Sequence, residues 1–208
     1  WLTIIGRIAY PIFAFMIAEG CRYTKNRLRY LLSVLGVGAL CQAVYFVTSG
    51  SLYMCIFITF TVSILLIYAL DLFKNSVFSQ SSIAVKILSG TLFALSVYLA
   101  WELNRFVEID YGFYGCMLPV FACIFNKPKK CDCSYPELLD THLIRLLSFG
   151  FGCFLVAHET NSIQYWSLLS LPLLALYSGK RGKHSFKYFF YIFYPAHLAI
   201  IWLVGEFI

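Results

Sequence analysis

Ile4-Ile5-Gly6-Arg7-Ile8-Ala9-Tyr10-Pro11-Ile12-Phe13-Ala14-Phe15-Met16-Ile17-Ala18-Glu19-Gly20 is apolar for long enough to cross a bilayer, yet it carries an arginine, a proline and a glutamate. A charge at hydrocarbon depth costs about 3 kcal/mol or more, so such residues face a polar cavity or a partner. Pro11 has no amide hydrogen, so the carbonyl of Arg7 loses its helical donor. A guanidinium and a freed carbonyl then share one place, which a site explains more simply than packing does. Glu19 lies about 18 Å further along a helix axis and roughly 120° around it, so Arg7 and Glu19 are not expected to pair. Glu19 is expected either to serve a site or to reach the interface.

The rest of the chain has the same character. It holds 208 residues, of which 61% are hydrophobic and 12% charged, and its mean hydropathy is +0.77. Soluble domains carry about 25% charged residues. The fold class is therefore all-α, a polytopic transmembrane helix bundle forming a single domain over residues 1–208. The apolar runs lack the alternation of an outer-membrane barrel. The chain starts at Trp1 without a charged leader region, so a further helix is expected upstream.

About eight apolar segments have lengths near what a bilayer requires. They cover roughly Leu2–Gly20, Tyr30–Val47, Leu52–Phe73, Ile83–Leu103, Tyr111–Phe125, His142–Ala157, Ile163–Tyr177 and Phe186–Val204. The fifth is short and opens with Gly112 and Gly115, which suits a tilted or re-entrant helix. Lys74 to Ser82 reads as a polar loop. The net charge is +6, and its distribution is informative. Arg22, Lys25, Arg27 and Arg29 follow the first segment; Lys127, Lys129 and Lys130 follow the fifth; Lys180, Arg181 and Lys183 follow the seventh. Each basic loop follows an odd segment, so these loops are predicted to be cytoplasmic. The predicted location is the cell (inner) membrane, multi-pass. The positive-inside rule accounts for the basic residues, and no nucleic-acid partner is expected.

Of the eight cysteines, most lie inside apolar runs, where cysteine acts as a small hydrophobe. Cys131-Asp132-Cys133 is the one close pair and a weak zinc signal, so no metal is expected. Its predicted cytoplasmic position argues against a structural disulfide.

The last segment repeats the design of the first: Tyr191-Ile192-Phe193-Tyr194-Pro195-Ala196-His197-Leu198 sets a proline beside a polar residue inside the apolar run. Tyr194 shares a helical face with His197. A neutral imidazole can take a proton from a nucleophile, so His197 is a candidate base; the plainer reading is a histidine bonded to a neighbouring helix. Asp110-Tyr111-Gly112-Phe113-Tyr114-Gly115 sits at the outer mouth of the fifth segment, where it can hold an incoming amine or hydroxyl, or where Asp110 can cap the helix. His142 and Arg145 read as interface anchors, and His158 as a surface residue. Gly179-Lys180-Arg181-Gly182-Lys183 can grip the phosphates of a cytoplasmic donor, or simply serve topology and anionic lipid.

Taken together and in this order, the stretches around Arg7 and Glu19-Gly20, Thr24-Lys25-Asn26-Arg27, Asp110 to Gly115, and Gly179 to His197 resemble the TraX family, associated with N-terminal acetylation of conjugative pilin. The resemblance runs nearly end to end. That family is similar to multispan acyltransferases that move acyl groups from cytoplasmic acyl-CoA to acceptors at or beyond the membrane. By that resemblance, Arg7, Glu19, Asp110 and His197 fall on recurring polar positions. Family members usually open with another helix bearing an Asp-His pair, which this chain does not contain.

The leading expectation is an acetyltransferase using acetyl-CoA as donor substrate, with a pilin or cell-envelope acceptor. Arg7, Glu19 and His197 are the candidate catalytic residues; Tyr10, Asp110, Tyr111, Gly112 and Tyr194 would bind the acceptor; Lys180, Arg181 and Lys183 would bind the donor. The rival is a non-enzymatic membrane protein, either a small-solute transporter or an assembly factor, because intramembrane charge and proline-broken helices also mark transporters.

Overall fold

A computed structural model of the chain describes residues 2–50, 54–79, 81–128, 135–160 and 162–177, together with Gly179 and Ala196. Among these residues there are seven α-helices and one 3₁₀ helix. They are α1 (Leu2–Tyr23), α2 (Arg27–Ser49), α3 (Ile56–Phe78), α4 (Ile83–Phe106), α5 (Gly112–Cys123), α6 (His142–Thr160), the 3₁₀ helix (Ser162–Leu169) and α7 (Ser170–Ala175).

The helix ends follow local chemistry. Asn26 caps α2 by accepting from the Arg29 amide at 2.9 Å, and Gly50 closes it in a left-handed conformation at φ 64°. Ser82 caps α4. Helix α3 runs on to Phe78, past the expected end at Phe73, so Lys74 lies on a helix and not in a loop.

Helix α3 is central: half of its span is buried, against 6% for α4 and 17% for α2. Helix α5 packs on α1, α3 and α6, and the 3₁₀ helix packs on α1 and α6. The core gathers Tyr10, Phe15 and Ala18 of α1, Phe60, Ile64 and Ile67 of α3, Cys116 and Leu118 of α5, and Phe149 and Cys153 of α6. Helices α1, α3 and α5 run the same way, as the alternation of basic loops requires. Tyr10 meets Gly115 at one end, while Ala18 meets Cys123 at the other. Thr59 meets Asp110, and Lys74 meets Cys123.

The expected total of eight spans is not supported. Four described helices are long and apolar enough to cross a membrane: Arg27–Val47, Ile56–Phe78, Ile83–Phe106 and His142–Thr160; α1, the first expected span, is not among them, and Arg7, Glu19 and Arg22 interrupt its apolar run. Helix α5 has 12 residues, about 18 Å of axis against a hydrocarbon core of about 30 Å. The seventh segment, read as one helix, is divided between eight residues of 3₁₀ winding and six of α. The eighth lies outside the described residues.

Candidate functional site

The end of the bundle predicted to face outward, here the outer end, is organised by a proline. Pro119 sits inside α5 and has no amide to offer the carbonyl of Gly115, four residues earlier. The Tyr10 hydroxyl donates to that carbonyl at 2.8 Å. The Tyr10 ring stacks on Tyr111 at 3.7 Å and on Phe60 at 6.0 Å, each within 5° of parallel. Tyr111 has φ 62° and Gly112 φ 63°. A left-handed tyrosine costs about 1–2 kcal/mol, which its stack on Tyr10 offsets. A side chain at residue 115 would place its Cβ 2.5 Å from the Tyr111 Cβ and 3.0 Å from the Tyr10 hydroxyl, so only glycine fits.

Arg7, one turn before Tyr10, holds its guanidinium carbon 6.0 Å from the centre of the Tyr111 ring. Among the described residues Arg7 has no carboxylate partner. Tyr111, in the connection between α4 and α5, has its phenol pKa raised by burial first and by Asp110 second, against the downward pull of Arg7. The main chain of Asp110 is pinned: its amide donates to Met54 at 3.1 Å, and its carbonyl accepts from Thr59 at 2.9 Å. The N-cap of α5 is Tyr111, without a side-chain cap bond, so Asp110 does not take the capping role. Beside this group opens a cavity of about 590 Å³, lined by Trp101, Asn104, Ile109, Tyr111, Gly112, Phe113, Tyr114, Glu159 and Thr160.

The opposite end, predicted by the charge rule to face inward, is arranged differently. Glu19 is buried and pairs with Arg145 of α6. Arg145 also donates to the Ala122 carbonyl at 3.5 Å and lies 5.7 Å from the Phe15 ring centre. Lys74 donates to the Cys123 carbonyl at 3.0 Å and to that of Asn126, closing the C-terminus of α5 with a cation. Arg22 pairs with Asp140 at 3.2 Å and Arg27 with Asp71 at 2.5 Å. In the adjoining loop, burial raises the Tyr135 phenol, with Asp140 adding to it.

The structure thus brings Arg7, Tyr10, Tyr111 and Gly112 together and places Glu19 elsewhere. Tyr10 is 2% exposed and its hydroxyl is committed to Gly115, so it shapes the site. Two readings are corrected. Glu19 does not reach the interface, and Arg145 is no interface anchor: at 4% exposure it is the counter-charge Glu19 requires. His158 is exposed, as expected. His197, Tyr194, Lys180, Arg181 and Lys183 lie outside the described residues, as do Cys131 and Cys133.

The sequence matches the TraX protein family over residues 1–205. The chain belongs to the TraX family. It is also similar to a probable fimbrial assembly protein FimC, serogroup H1, of Dichelobacter nodosus, with 27% identity over 210 residues, covering 96% of this chain and 81% of that protein. No solved structure matches it. Two charged residues of this TraX chain carry packing that sequence reasoning missed. Lys74 was hidden by an underestimated helix end. Arg145 was signalled only by the need of Glu19 for a partner, which does not say where the partner lies. Pro119 was a legible signal, since it frees the carbonyl that Tyr10 takes.

Proposed function

We propose that this TraX-family protein is an integral membrane acetyltransferase that moves an acetyl group from cytoplasmic acetyl-CoA to an acceptor amine or hydroxyl, such as the N-terminus of a conjugative pilin. The observation that carries the reading is Arg7. It is a partly buried cation held against an aromatic stack, beside a cavity with polar lining, and without a carboxylate partner among the described residues. A cation so placed binds a phosphate or stabilises the oxyanion that forms when an acceptor attacks a thioester. Losing one such contact typically costs about 10²–10³ in kcat. The low-dielectric surroundings strengthen it.

In this reading His197 takes the proton of the acceptor, and Tyr111 and Gly112 form the wall it approaches, with Asp110 behind them. Lys180, Arg181 and Lys183 hold the donor phosphates, because Arg22 and Arg27 are already engaged by aspartates. Glu19 drops out of the chemistry, since its carboxylate is spent on Arg145. The donor's extended arm must then carry the thioester about 18 Å into the bundle, the axial separation of Arg7 and Glu19; the acceptor attacks there, the C–S bond breaks, and coenzyme A leaves as its thiol with the proton the acceptor gave up. The name of the Dichelobacter relative supports a fimbrial or envelope acceptor. It equally favours a second reading, a membrane assembly factor that performs no chemistry.

Labelled acetyl-CoA, incubated with the full-length protein in membranes of its own host, separates the two. Label on an acceptor peptide or glycan that disappears with Arg7→Ala supports transfer. Absence of both label and acetyl-CoA binding, with assembly of surface fibres still dependent on the protein, supports the assembly factor.

A further inference from the structure

Gln164, Ser167 and Ser170 are 0%, 1% and 0% exposed. Among the described residues, both polar atoms of Gln164 and both serine hydroxyls lack a hydrogen-bond partner. Buried polar side chains are almost always bonded, and each orphan costs about 1–3 kcal/mol. Hydroxyls elsewhere in this bundle solve the problem locally: Thr61, Ser63 and Thr160 each donate to the carbonyl four residues back. Ser167 and Ser170 do not.

The winding explains the arrangement. Gln164 and Ser167 lie in the 3₁₀ helix, and Ser170 follows at its end. Eight residues is long for 3₁₀ geometry, which rarely exceeds four. With three residues per turn and about 2.0 Å of rise, positions 164, 167 and 170 fall in one line about 6 Å apart. A water bonded to two hydroxyls at about 2.8 Å each spans nearly that distance. An α-helix would close the step to about 4.5 Å and turn the side chains apart.

The line has polar groups at both ends. Glu159 and Thr160, just before the 3₁₀ helix, line the outer cavity. Past Ser170, the Leu174 carbonyl meets His142 Nε2 at 3.2 Å. Tyr177 lies edge-on to Phe15 at 6.1 Å, beside the ring that Arg145 faces. We infer that Gln164, Ser167 and Ser170 hold a file of ordered water running through the bundle between the outer cavity and the Glu19–Arg145 pair. Such a file gives each orphaned atom a partner and lets protons pass along the interior. The inference does not depend on the acetyltransferase reading.

X-ray radiolytic footprinting of the full-length protein in its membrane, read by mass spectrometry, tests this directly, because radicals form at bound water. Label on the partly buried Leu168 and Leu171 and on the buried Leu174, read residue by residue, is expected to be at least two-fold higher in the unaltered protein than in the combined Gln164→Leu, Ser167→Ala and Ser170→Ala variant, with label on the exposed Tyr165 and Trp166 unchanged. Equal label on those leucines in the two proteins would overturn the inference. Where the combined variant fails to fold, Ser167→Ala alone is read for the same loss of label. Melting of the three single variants gives a second readout: a rise in all three means a dry interface and sinks the proposal, whereas no rise supports the water file.

Discussion

The two ends of the bundle both bury charge, but they spend it differently. At the inner end, Glu19 meets Arg145, Asp140 meets Arg22, Asp71 meets Arg27, and Lys74 meets two carbonyls. At the outer end, Arg7 faces the ring of Tyr111, and no carboxylate answers it among the described residues. A neutralised charge holds helices in place and has little left for a ligand. A charge held by an aromatic ring and its neutral hydroxyl keeps most of its field for whatever enters. The difference sets apart two arginines: Arg145 is architectural, and Arg7 is the one left without a carboxylate among the described residues, the position the proposed function relies on.

That separation can be broken by mutation. The largest loss is expected from Arg145→Ala, which strands Glu19 as a buried, uncompensated charge at a cost of about 3–5 kcal/mol; unfolding in detergent measures it, and adding Glu19→Gln should recover much of the loss. A neutral Arg145→Ala would erase the contrast. Lys74→Met is expected to cost about 2 kcal/mol in the same assay, by leaving the end of α5 without its cation. Tyr10→Phe, which removes the donor from the Gly115 carbonyl that Pro119 leaves open, is expected to cost about 1–2 kcal/mol. Arg7→Ala should be the mildest, about 0.5–1 kcal/mol for an aromatic contact, while abolishing acceptor labelling. An Arg7→Ala protein as unstable as Arg145→Ala would make Arg7 architectural too.

How much of this was legible varies with the distance over which each feature is decided. Pro11, Arg7 and Tyr10 lie within two turns of one helix, and their shared neighbourhood could be read directly. At the Asp110-Tyr111-Gly112 mouth the motif was legible but its backbone was not: Asp110 does not take the capping role, and the chain turns through left-handed Tyr111 and Gly112. The partner of Glu19 was not legible. Arg145 stands 126 positions away, on a helix whose rotation depends on how α5 and α6 pack. The 3₁₀ winding of Ser162–Leu169 was equally hidden, because an apolar run with polar residues every third position reads as an ordinary helix until its packing against α1 and α6 is known.

By itself, then, the sequence determined the all-helical class, the membrane setting and the family, because hydropathy, charge alternation and ordered motifs are properties of the chain taken in line. The tertiary structure decided which charges face each other, how many helices are long enough to span, and which polar face is left unanswered in the interior. Those depend on the relative rotation of helices far apart in sequence. That rotation is settled by packing contacts such as Tyr10 on Gly115 and Lys74 on Cys123, which no local pattern encodes.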